Sequence, residues 1–262
     1  MRSRLQIVLC LVLVYALNAV AQDRVFTYTY QSPVLRTGER EIEAWNTIQW
    51  GREEFFRAFE HRLELEMGVA PNLQTAFYLN VVTASASSAL TTTTEVGFSN
   101  EWKWNLNDPV ADPVGIALYG EYTIGAREIE FEPKIILDKA SGPSVFALNL
   151  AAEFESEKEV NNVGELSTEQ ETMFQLAAGY SYQLGPHTAF GIEFQARAPL
   201  YDGAVQYIAV YAGPTFSFAG DKFWINVSVL PQLPALRGAT TGNLVLDDEQ
   251  RAEARLMLSY AL

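Results

Sequence analysis

The chain has 262 residues and a formal net charge of −14 at pH 7, with 32 acidic and 18 basic residues. This acidic balance argues against nucleic acid as a partner, because phosphate backbones are bound through clustered lysine and arginine side chains. Aromatic residues make up 12% of the chain and charged residues only 19%. Such an aromatic-rich, charge-poor composition is consistent with a β-barrel that faces lipid.

The first 21 residues predict a secretory signal peptide. Arg2 and Arg4 precede an apolar run over residues 7–17, and an A-x-A cleavage site follows at residues 19–21. The run is too short to span a membrane as a helix, and no later run approaches the roughly 20 residues that a helical span needs. The only cysteine, Cys10, lies in this segment. An exported chain without disulfides would be stabilised by a large core or by a closed sheet.

Residues 22–40 are predicted to form an N-terminal segment on the periplasmic side of the membrane. They include the stretch Asp-Arg-Val-Phe-Thr-Tyr-Thr-Tyr at residues 23–30, which is followed by Pro33 and Gly38. The sequence leaves open whether this segment plugs a barrel or adds a strand.

Residues 59–81 show the unit that recurs along the rest of the chain. Apolar residues and His61 alternate with Glu60, Arg62, Glu64 and Glu66, and after a turn at residues 68–72 the alternation resumes. A period of two residues predicts strands with one apolar face and one polar face. Each arm has about ten residues, the length that a tilted strand needs to cross a bilayer.

From residue 41 onward the same pattern predicts twelve strands, an even number. They are placed at residues 41–50, 57–67, 73–83, 95–106, 114–123, 127–137, 144–155, 172–184, 188–198, 205–218, 222–232 and 251–262. The prediction is therefore an all-β protein, a single antiparallel up-and-down transmembrane β-barrel over residues 41–262.

The connections between these strands are predicted to alternate in length. Turn-rich links occur at residues 68–72, 107–113, 138–143, 185–187 and 219–221, whereas longer polar segments occur at 84–94, 156–171 and 233–250. In outer-membrane barrels the short turns and both termini lie in the periplasm and the long loops lie outside. The acidic run at residues 247–249 is expected in a solvated loop.

Aromatic residues are predicted to form a girdle at the periplasmic interface. The residues concerned are Trp102, Trp104, Tyr180, Tyr182, Phe216, Phe218, Phe223 and Tyr260, each at the short-turn end of its strand. A soluble β-sandwich has no reason to collect aromatic residues at one end, whereas a membrane barrel does.

The final strand places apolar residues at alternate positions up to Leu262. It resembles the C-terminal signal by which the barrel-assembly machinery recognises outer-membrane barrels, although the family pattern favours a terminal Phe. Residues 38–45, the Arg-Leu-Glu-Leu-Glu stretch at 62–66 and residues 211–214 also resemble uncharacterised outer-membrane β-barrel proteins of Gram-negative bacteria. The resemblance implies a barrel set in outer-membrane lipid and lipopolysaccharide, and implies no particular activity.

If the apolar faces contact lipid, the lumen receives the charged residues. The candidate lumen-lining residues are Arg62, Glu64, Glu66, Glu101, Lys103, Glu121, Glu128, Glu130, Glu132, Lys134, Glu193, Arg197 and Arg255, and the same parity adds Glu41, Glu43, Glu153, Glu155 and Glu253. One interpretation is an acidic pathway that favours cations or polycationic solutes. The interpretation favoured by the sequence is a set of salt bridges and hydrogen bonds that fills the barrel.

Three carboxylates, Glu128, Glu130 and Glu132, alternate along one strand about 7 Å apart. They need nearby cations, raised pKa values or water.

A hydrolase would need an activated nucleophile, and the sequence offers little support for one. The two histidines are His61, on the lipid-facing parity, and His187, in a short turn. Neither is placed with a nucleophile. No Cys/His spacing predicts a metal site, and no cofactor is expected.

The predicted function is therefore a passive or facilitated channel for a small solute. The alternative is a structural or surface-interaction barrel with a plugged lumen, and a hydrolase is the weakest of the three hypotheses.

Overall fold

The computed structural model describes residues 24–86, 91–160 and 166–262. The signal peptide predicted for residues 1–21 lies outside this part of the chain. The described residues form thirteen strands: β1 (Arg40–Trp50), β2 (Phe56–Ala70), β3 (Leu73–Ala86), β4 (Thr91–Asn107), β5 (Gly115–Gly125), β6 (Glu128–Ser141), β7 (Ser144–Val160), β8 (Leu166–Gln183), β9 (Thr188–Tyr201), β10 (Ala204–Val205), β11 (Ile208–Ala219), β12 (Phe223–Arg237) and β13 (Ala252–Ala261). Across these ranges no helix is long and apolar enough to cross a membrane.

The strands form one closed antiparallel sheet. Each long strand pairs with its neighbours in sequence, β1 pairs with β13, and the two-residue β10 only extends the hairpin at the end of β9, so that β9 pairs directly with β11. Twelve strands thus make the wall, and the predicted twelve-stranded up-and-down barrel is confirmed. Closure satisfies the backbone hydrogen bonds at every strand edge, as a sheet in lipid requires.

The two faces of the wall follow the alternation in the sequence. In the β2–β3 hairpin, Leu63 and Leu79 are opposite each other and about half exposed on the outer surface, whereas Glu64 is only 1% exposed inside. Leu, Ile, Val and Phe residues continue this outer surface around the barrel. A slip of one residue in register would turn every charged side chain toward lipid, so the alternation fixes the pairing.

Two of the three predicted long loops are largely strand. The paired strands β3 and β4 reach Ala86 and Thr91, and β7 and β8 reach Val160 and Leu166. The predictions of loops at residues 84–94 and 156–171 were therefore wrong over most of their length, and residues 87–90 and 161–165 lie outside the described part. The polar residues form cross-strand pairs such as Ser85 with Thr92, and β-branched threonines favour a pleated sheet.

One tight turn depends on its residue types. Tyr201 pairs with Ala204 across a two-residue turn in which Asp202 has φ 49° and Gly203 has φ 76°. Two consecutive positive φ angles are typical of an Asp-Gly hairpin turn, because glycine has no Cβ and aspartate tolerates the left-handed region.

The predicted aromatic girdle lies on the outer surface at the short-turn end. Trp102, Trp104, Tyr180 and Tyr260 are each between about one-third and one-half exposed there. Phe218 is partly buried and packs against Phe223, with ring centroids 5.9 Å apart. Amphipathic rings at this level match the headgroup region of a bilayer.

Candidate functional site

The candidate site is the barrel lumen, because every charged residue proposed for it lies on the inner face. The more buried ones are Glu64, Glu66, Glu101, Lys103, Glu121 and Glu193, and the half-buried ones are Arg62, Glu128, Glu130, Glu132, Lys134, Arg197 and Arg255. The wall strands hold these side chains at fixed positions, since successive residues of a strand point to opposite faces.

Carboxylates follow one another from strand to strand along one side of this lumen. The strand register pairs Glu41 with Glu66, places Ala76 between Glu66 and Glu101, and then pairs Glu101 with Glu121 and Glu121 with Glu132. We call these five glutamates the acidic stripe. It begins at Glu41 in β1, at the short-turn end, and ends at Glu132 in β6, which lies nearer the other end of the barrel.

Two cavities lie along the stripe. The larger, about 470 Å³, opens away from the short turns, and we call it the vestibule. Its acidic lining residues are Glu60, Glu121, Glu128, Glu130, Glu132, Glu153 and Glu249, and its basic ones are Arg62, Lys134, Arg197 and Arg255. The smaller, about 290 Å³, lies at the short-turn end and is called the basal cavity; Glu41, Glu43, Glu66, Arg24 and Lys103 are among its lining residues.

The N-terminal segment lies between the two cavities. The sequence left open whether residues 22–40 plug the barrel or add a strand. In the structure residues 24–32 form no strand, and Phe26, Thr27, Thr29 and Ser32 are fully buried inside the lumen. Tyr30 lines both cavities, so this segment separates them. Residues 24–32 are hereafter called the plug.

A single wall carboxylate holds the tip of the plug. Glu193 Oε1 accepts hydrogen bonds from the backbone N–H of Thr27 at 2.8 Å and from its hydroxyl at 3.0 Å. Its Oε2 accepts from the backbone N–H of Tyr28 at 2.7 Å and of Thr29 at 3.0 Å. Three consecutive backbone donors on one carboxylate form a nest for negative charge. This nest satisfies plug backbone groups that have no strand partner.

Wall amides hold the two arms of the plug. Asn149 accepts a hydrogen bond from the backbone N–H of Tyr30 at 2.6 Å and donates to its carbonyl at 2.9 Å. Asn226 donates to the carbonyl of Arg24 at 3.0 Å. Gly179 leaves room for the Phe26 ring, since a Cβ there would lie 2.6 Å from it.

Five aromatic side chains from plug and wall lie at this level, and we call them the septum: Tyr28, Tyr30, Trp45, Tyr78 and Tyr119. Tyr28 is linked to the others through Arg255, whose guanidinium lies 3.9 Å from the Tyr28 ring centroid and 5.4 Å from that of Trp45. The ring of Tyr30 lies 5.2 Å from that of Tyr119 and 6.3 Å from that of Trp45, which in turn lies 6.1 Å from Tyr78. Centroid separations of this size are typical of attractive aromatic pairs.

Cations cover the septum from both cavities. On the basal side Arg24 lies 4.4 Å from the ring centroid of Tyr30 and 4.6 Å from that of Trp45. On the vestibule side the contacts are Lys134 over Tyr30 at 4.1 Å, Arg62 over Tyr78 at 4.1 Å and Arg255 over Tyr28 at 3.9 Å. Each such contact stabilises by about 0.5–2 kcal/mol, depending on its exposure. The septum therefore joins the plug to the wall.

Several of the predicted cations also form ion pairs. Arg62 pairs with Glu121 at 2.5 Å, Lys134 with Glu132 at 2.7 Å, and Arg197 with Glu253 at 2.9 Å. Arg255 lies 3.9 Å from Glu60. The salt-bridge interpretation favoured by the sequence thus describes part of the lumen, chiefly the septum level and the β9–β13 side.

The loop between β12 and β13 folds into the barrel. Residues 247–249 were expected to be solvated. Asp247 and Asp248 are exposed, but Glu249 is 5% exposed and pairs with Arg197 at 3.2 Å. Gln232 on the wall donates to the carbonyl of Val245 at 2.9 Å and accepts from its N–H at 2.7 Å. Burial, reinforced by the Glu249 carboxylate, raises the pKa of Tyr207, which stays neutral and donates to Glu249.

The two histidines lie where the sequence placed them. His61 is exposed on the outer face, with Nδ1 2.9 Å from Asn46 Oδ1. His187, in the short turn before β9, has Nδ1 2.7 Å from the carbonyl oxygen of Ala219. Each contact joins the histidine to an adjacent strand or turn of the wall.

Three neutral residues that hold the N-terminal segment were not predicted from the sequence. Asn149 and Asn226 bond to the plug, and Gln74 accepts a hydrogen bond from the backbone N–H of Leu35 at 3.0 Å. All three stand on the inner parity of their strands, and an inward amide was the available signal. No metal ligand was predicted either, and the structure brings carboxylate oxygens of Glu41, Glu43 and Glu66 within 4.8 Å of one another.

Solved structures with a similar fold are channels, porins and an autotransporter domain. The COG4313 outer membrane channel from Pseudomonas putida F1 has a TM-score of 0.62 at 14% identity, covering 91% of this chain and 100% of that chain. The NanC porin has a TM-score of 0.56 at 10% identity, covering 84% and 100%. The translocator domain of autotransporter NalP from Neisseria meningitidis has a TM-score of 0.61 at 11% identity, covering 86% and 89%. Identities this low show a shared fold.

No curated protein has a sequence that matches this chain. The model of a family of unknown function, DUF6662, matches residues 18–262, which is nearly the whole sequence. The chain therefore belongs to the DUF6662 family, and its fold is that of an outer-membrane β-barrel.

Proposed function

We propose that this protein is an outer-membrane channel for small cationic solutes and that the plug closes it in the present conformation. The observation that carries the proposal is the acidic stripe, whose two ends line the two cavities: Glu121 and Glu132 line the vestibule, and Glu41 and Glu66 line the basal cavity. The buried Glu101 lies between these two ends in the strand register. Fixed carboxylates in a narrow passage raise the local concentration of cations and repel anions.

The charges of the vestibule support a preference for cations. Lys134 and Arg62 are already paired with Glu132 and Glu121. The half-buried Glu128 and Glu130, on the inner face of β6, add two further carboxyl groups to the lining of the vestibule. A cationic solute entering this cavity would meet a surplus of carboxylates.

Passage requires the plug to move, because Tyr30 fills the boundary between the cavities. The plug contains no strand and adds no hydrogen-bonded neighbour to the sheet, so its displacement leaves the pairing of the wall intact. Two of the proteins with a similar fold are described as a porin and an outer membrane channel, which agrees with this use of the barrel.

The second candidate function is a permanently closed barrel with a structural or surface role. The observation that favours it is the density of plug contacts, with Glu193 clasping three backbone donors and cations on both sides of Tyr30.

Planar-bilayer recordings on three forms of the protein distinguish the two functions. We expect the wild type to conduct rarely, and a chain lacking residues 24–32 to conduct steadily with a preference for K⁺ over Cl⁻. Replacing Glu128, Glu130 and Glu132 with Gln in the shortened chain should reduce that preference. The difference should shrink as salt approaches 1 M, where the screening length is about 3 Å.

The matched control removes the same charge from exposed loops, with Glu53→Gln, Asp202→Asn and Asp221→Asn in the shortened chain. These changes should leave the ion preference unchanged. A shortened chain that folds, as judged by its gel shift on heating, and still does not conduct would exclude the channel and favour the closed barrel.

A further inference from the structure

Four glutamates on two neighbouring strands form a compact cluster beside the basal cavity. The register of β1 and β2 places Glu41 opposite Glu66 and Glu43 opposite Glu64, all on the inner face. Each of the four is less than one-tenth exposed. Directly opposed residues in an antiparallel pair have Cβ atoms about 4.5–5.5 Å apart, so these carboxyl groups share one space.

Neutral donors orient three of the four carboxylates. Trp45 donates its indole N–H to Glu43 at 2.7 Å, and Gln74 donates its amide N–H to Glu66 at 2.9 Å. The Ser259 hydroxyl donates to Glu41. These bonds hold the carboxyl groups in place, and one oxygen from each of Glu41, Glu43 and Glu66 lies within 4.8 Å of the others.

The fourth carboxylate, Glu64, gives an independent sign of a missing ligand. It is 1% exposed, and neither of its two oxygens accepts a hydrogen bond from a donor among the described residues. It stands opposite Glu43 and two residues from Glu66 on the same strand face, which directs it into the cluster. A buried acceptor without a hydrogen-bond donor destabilises the folded state, so such groups are rare in native proteins unless water or an ion satisfies them.

Few cations among the described residues lie near Glu43, Glu64 and Glu66. Arg24 of the plug reaches Glu43 only at 3.9 Å and is shared with the septum rings. Lys103 lines the basal cavity but lies two residues from Glu101 on the same face of β4. Arg36 is almost fully exposed at the mouth, 3.9 Å from Glu39.

We infer that Glu41, Glu43, Glu64 and Glu66 form a binding site for a divalent cation, with Ca²⁺ as the best fit. Calcium takes six to eight oxygen ligands from carboxylates and water, and four carboxylates can supply most of them. The adjacent basal cavity of about 290 Å³ provides space for coordinated water and for entry of the ion. The guanidinium of Arg24 acts as a tethered cation that competes for the same carboxylates. The site does not depend on whether the lumen conducts.

Terbium luminescence on the full-length barrel in detergent micelles tests the inference, after chelator treatment. Tb³⁺ replaces Ca²⁺ at oxygen sites, and Trp45, in contact with Glu43, is placed to sensitise its emission. We expect saturable emission that Ca²⁺ displaces. Glu64→Gln and Glu66→Gln should each weaken binding by about tenfold or more, as loss of a metal ligand or of its support commonly does.

Two further variants make the outcome specific. Glu60→Gln alters another carboxylate on the inner face of β2, outside the cluster, and should leave Tb³⁺ affinity unchanged. Arg24→Gln removes the competing charge and should tighten binding, and it keeps the test decisive if a Glu64 variant fails to fold. The inference is overturned if the wild type shows no saturable emission, if Glu60→Gln weakens binding as much as Glu64→Gln, or if Arg24→Gln weakens it.

Discussion

At the scale of single residues, the lumen is organised by carboxylates that play different roles. Glu193 is saturated by backbone and hydroxyl donors of the plug, and Glu121 is paired with Arg62. Glu64, by contrast, accepts no hydrogen bond at either oxygen within the part of the chain that the structure describes. Glutamates on the inner face of one sheet thus differ in role. One binds the backbone of the plug, one forms an ion pair and one is buried without a donor in that part of the chain, and the difference depends on which donors the fold brings to each of them.

The clasp of Glu193 predicts the effect of removing its charge. Glu193→Gln replaces an oxygen that accepts backbone N–H groups with an amide that donates, so at least one charge-assisted hydrogen bond of about 1.5–3 kcal/mol is lost. We expect hydrogen exchange over residues 24–32 to accelerate by about tenfold or more, as mass spectrometry of the folded barrel would measure. Glu53→Gln, which makes the same substitution in an exposed loop, is the control. Equal protection in wild type and Glu193→Gln would show that the clasp does not hold the plug.

At the scale of elements, two segments outside the sheet fill the barrel and give it a polar core. The plug enters at the short-turn end and is held by side chains of β7, β9 and β12. The loop at residues 238–251 enters from the other end and brings Val245 and Leu246 to full burial. The backbone groups of the plug bond to side-chain carboxylates and amides of the wall. The loop combines the side-chain amide of Gln232 with backbone bonds to β12, in which the N–H groups of Gln232 and Ala235 donate to the carbonyls of Arg251 and Asn243.

Gln232 should control the inward position of this second segment. Gln232→Ala removes its bonds to the N–H and carbonyl of Val245 and to the carbonyl of Gln250. Each net contribution is about 0.5–1.5 kcal/mol, and the buried groups of the loop are left without partners. We expect faster proteolysis within residues 238–251 while the barrel remains intact. Gln206→Ala, which alters an exposed glutamine in the preceding connection, should have no such effect.

At the scale of the whole molecule, the barrel has two unlike ends. One end carries short turns, the girdle and the entry of the plug; the other carries the vestibule and the strands that extend beyond the predicted spans. This asymmetry is that of an outer-membrane barrel with short periplasmic turns. We therefore propose that the vestibule faces the exterior and the basal cavity faces the periplasm.

Cysteine labelling on intact cells tests this orientation. With Cys10 in the predicted signal peptide, cysteines introduced at Asn162 and His187 would be the only thiols of the mature chain. Position 162 lies outside the described residues, between β7 and β8, and position 187 lies in a short turn. A membrane-impermeant maleimide should label position 162 on intact cells and position 187 only after lysis. The reverse order would invert the proposed topology.

The sequence by itself determined the wall of this protein. Lipid on one side and a polar lumen on the other require alternate side chains to differ, so the two-residue period predicted twelve strands, their faces and the inward direction of residues such as Glu64 and Arg62. Strand ends were predicted less well beyond Thr83 and Glu155, because strands that leave the membrane no longer need an apolar face.

Only the tertiary structure decided what fills the lumen. Thr27 meets Glu193 across 166 positions of sequence, and Arg255 reaches Thr27 across 228. Such contacts depend on how the sheet closes and on where the plug binds inside the barrel. No local sequence pattern encodes the closure of the sheet or the position of the plug. The cluster of Glu41, Glu43, Glu64 and Glu66 was predicted only in part from the sequence. The two-residue period predicted that each residue points inward, but only the β1–β2 register placed the four carboxylates together.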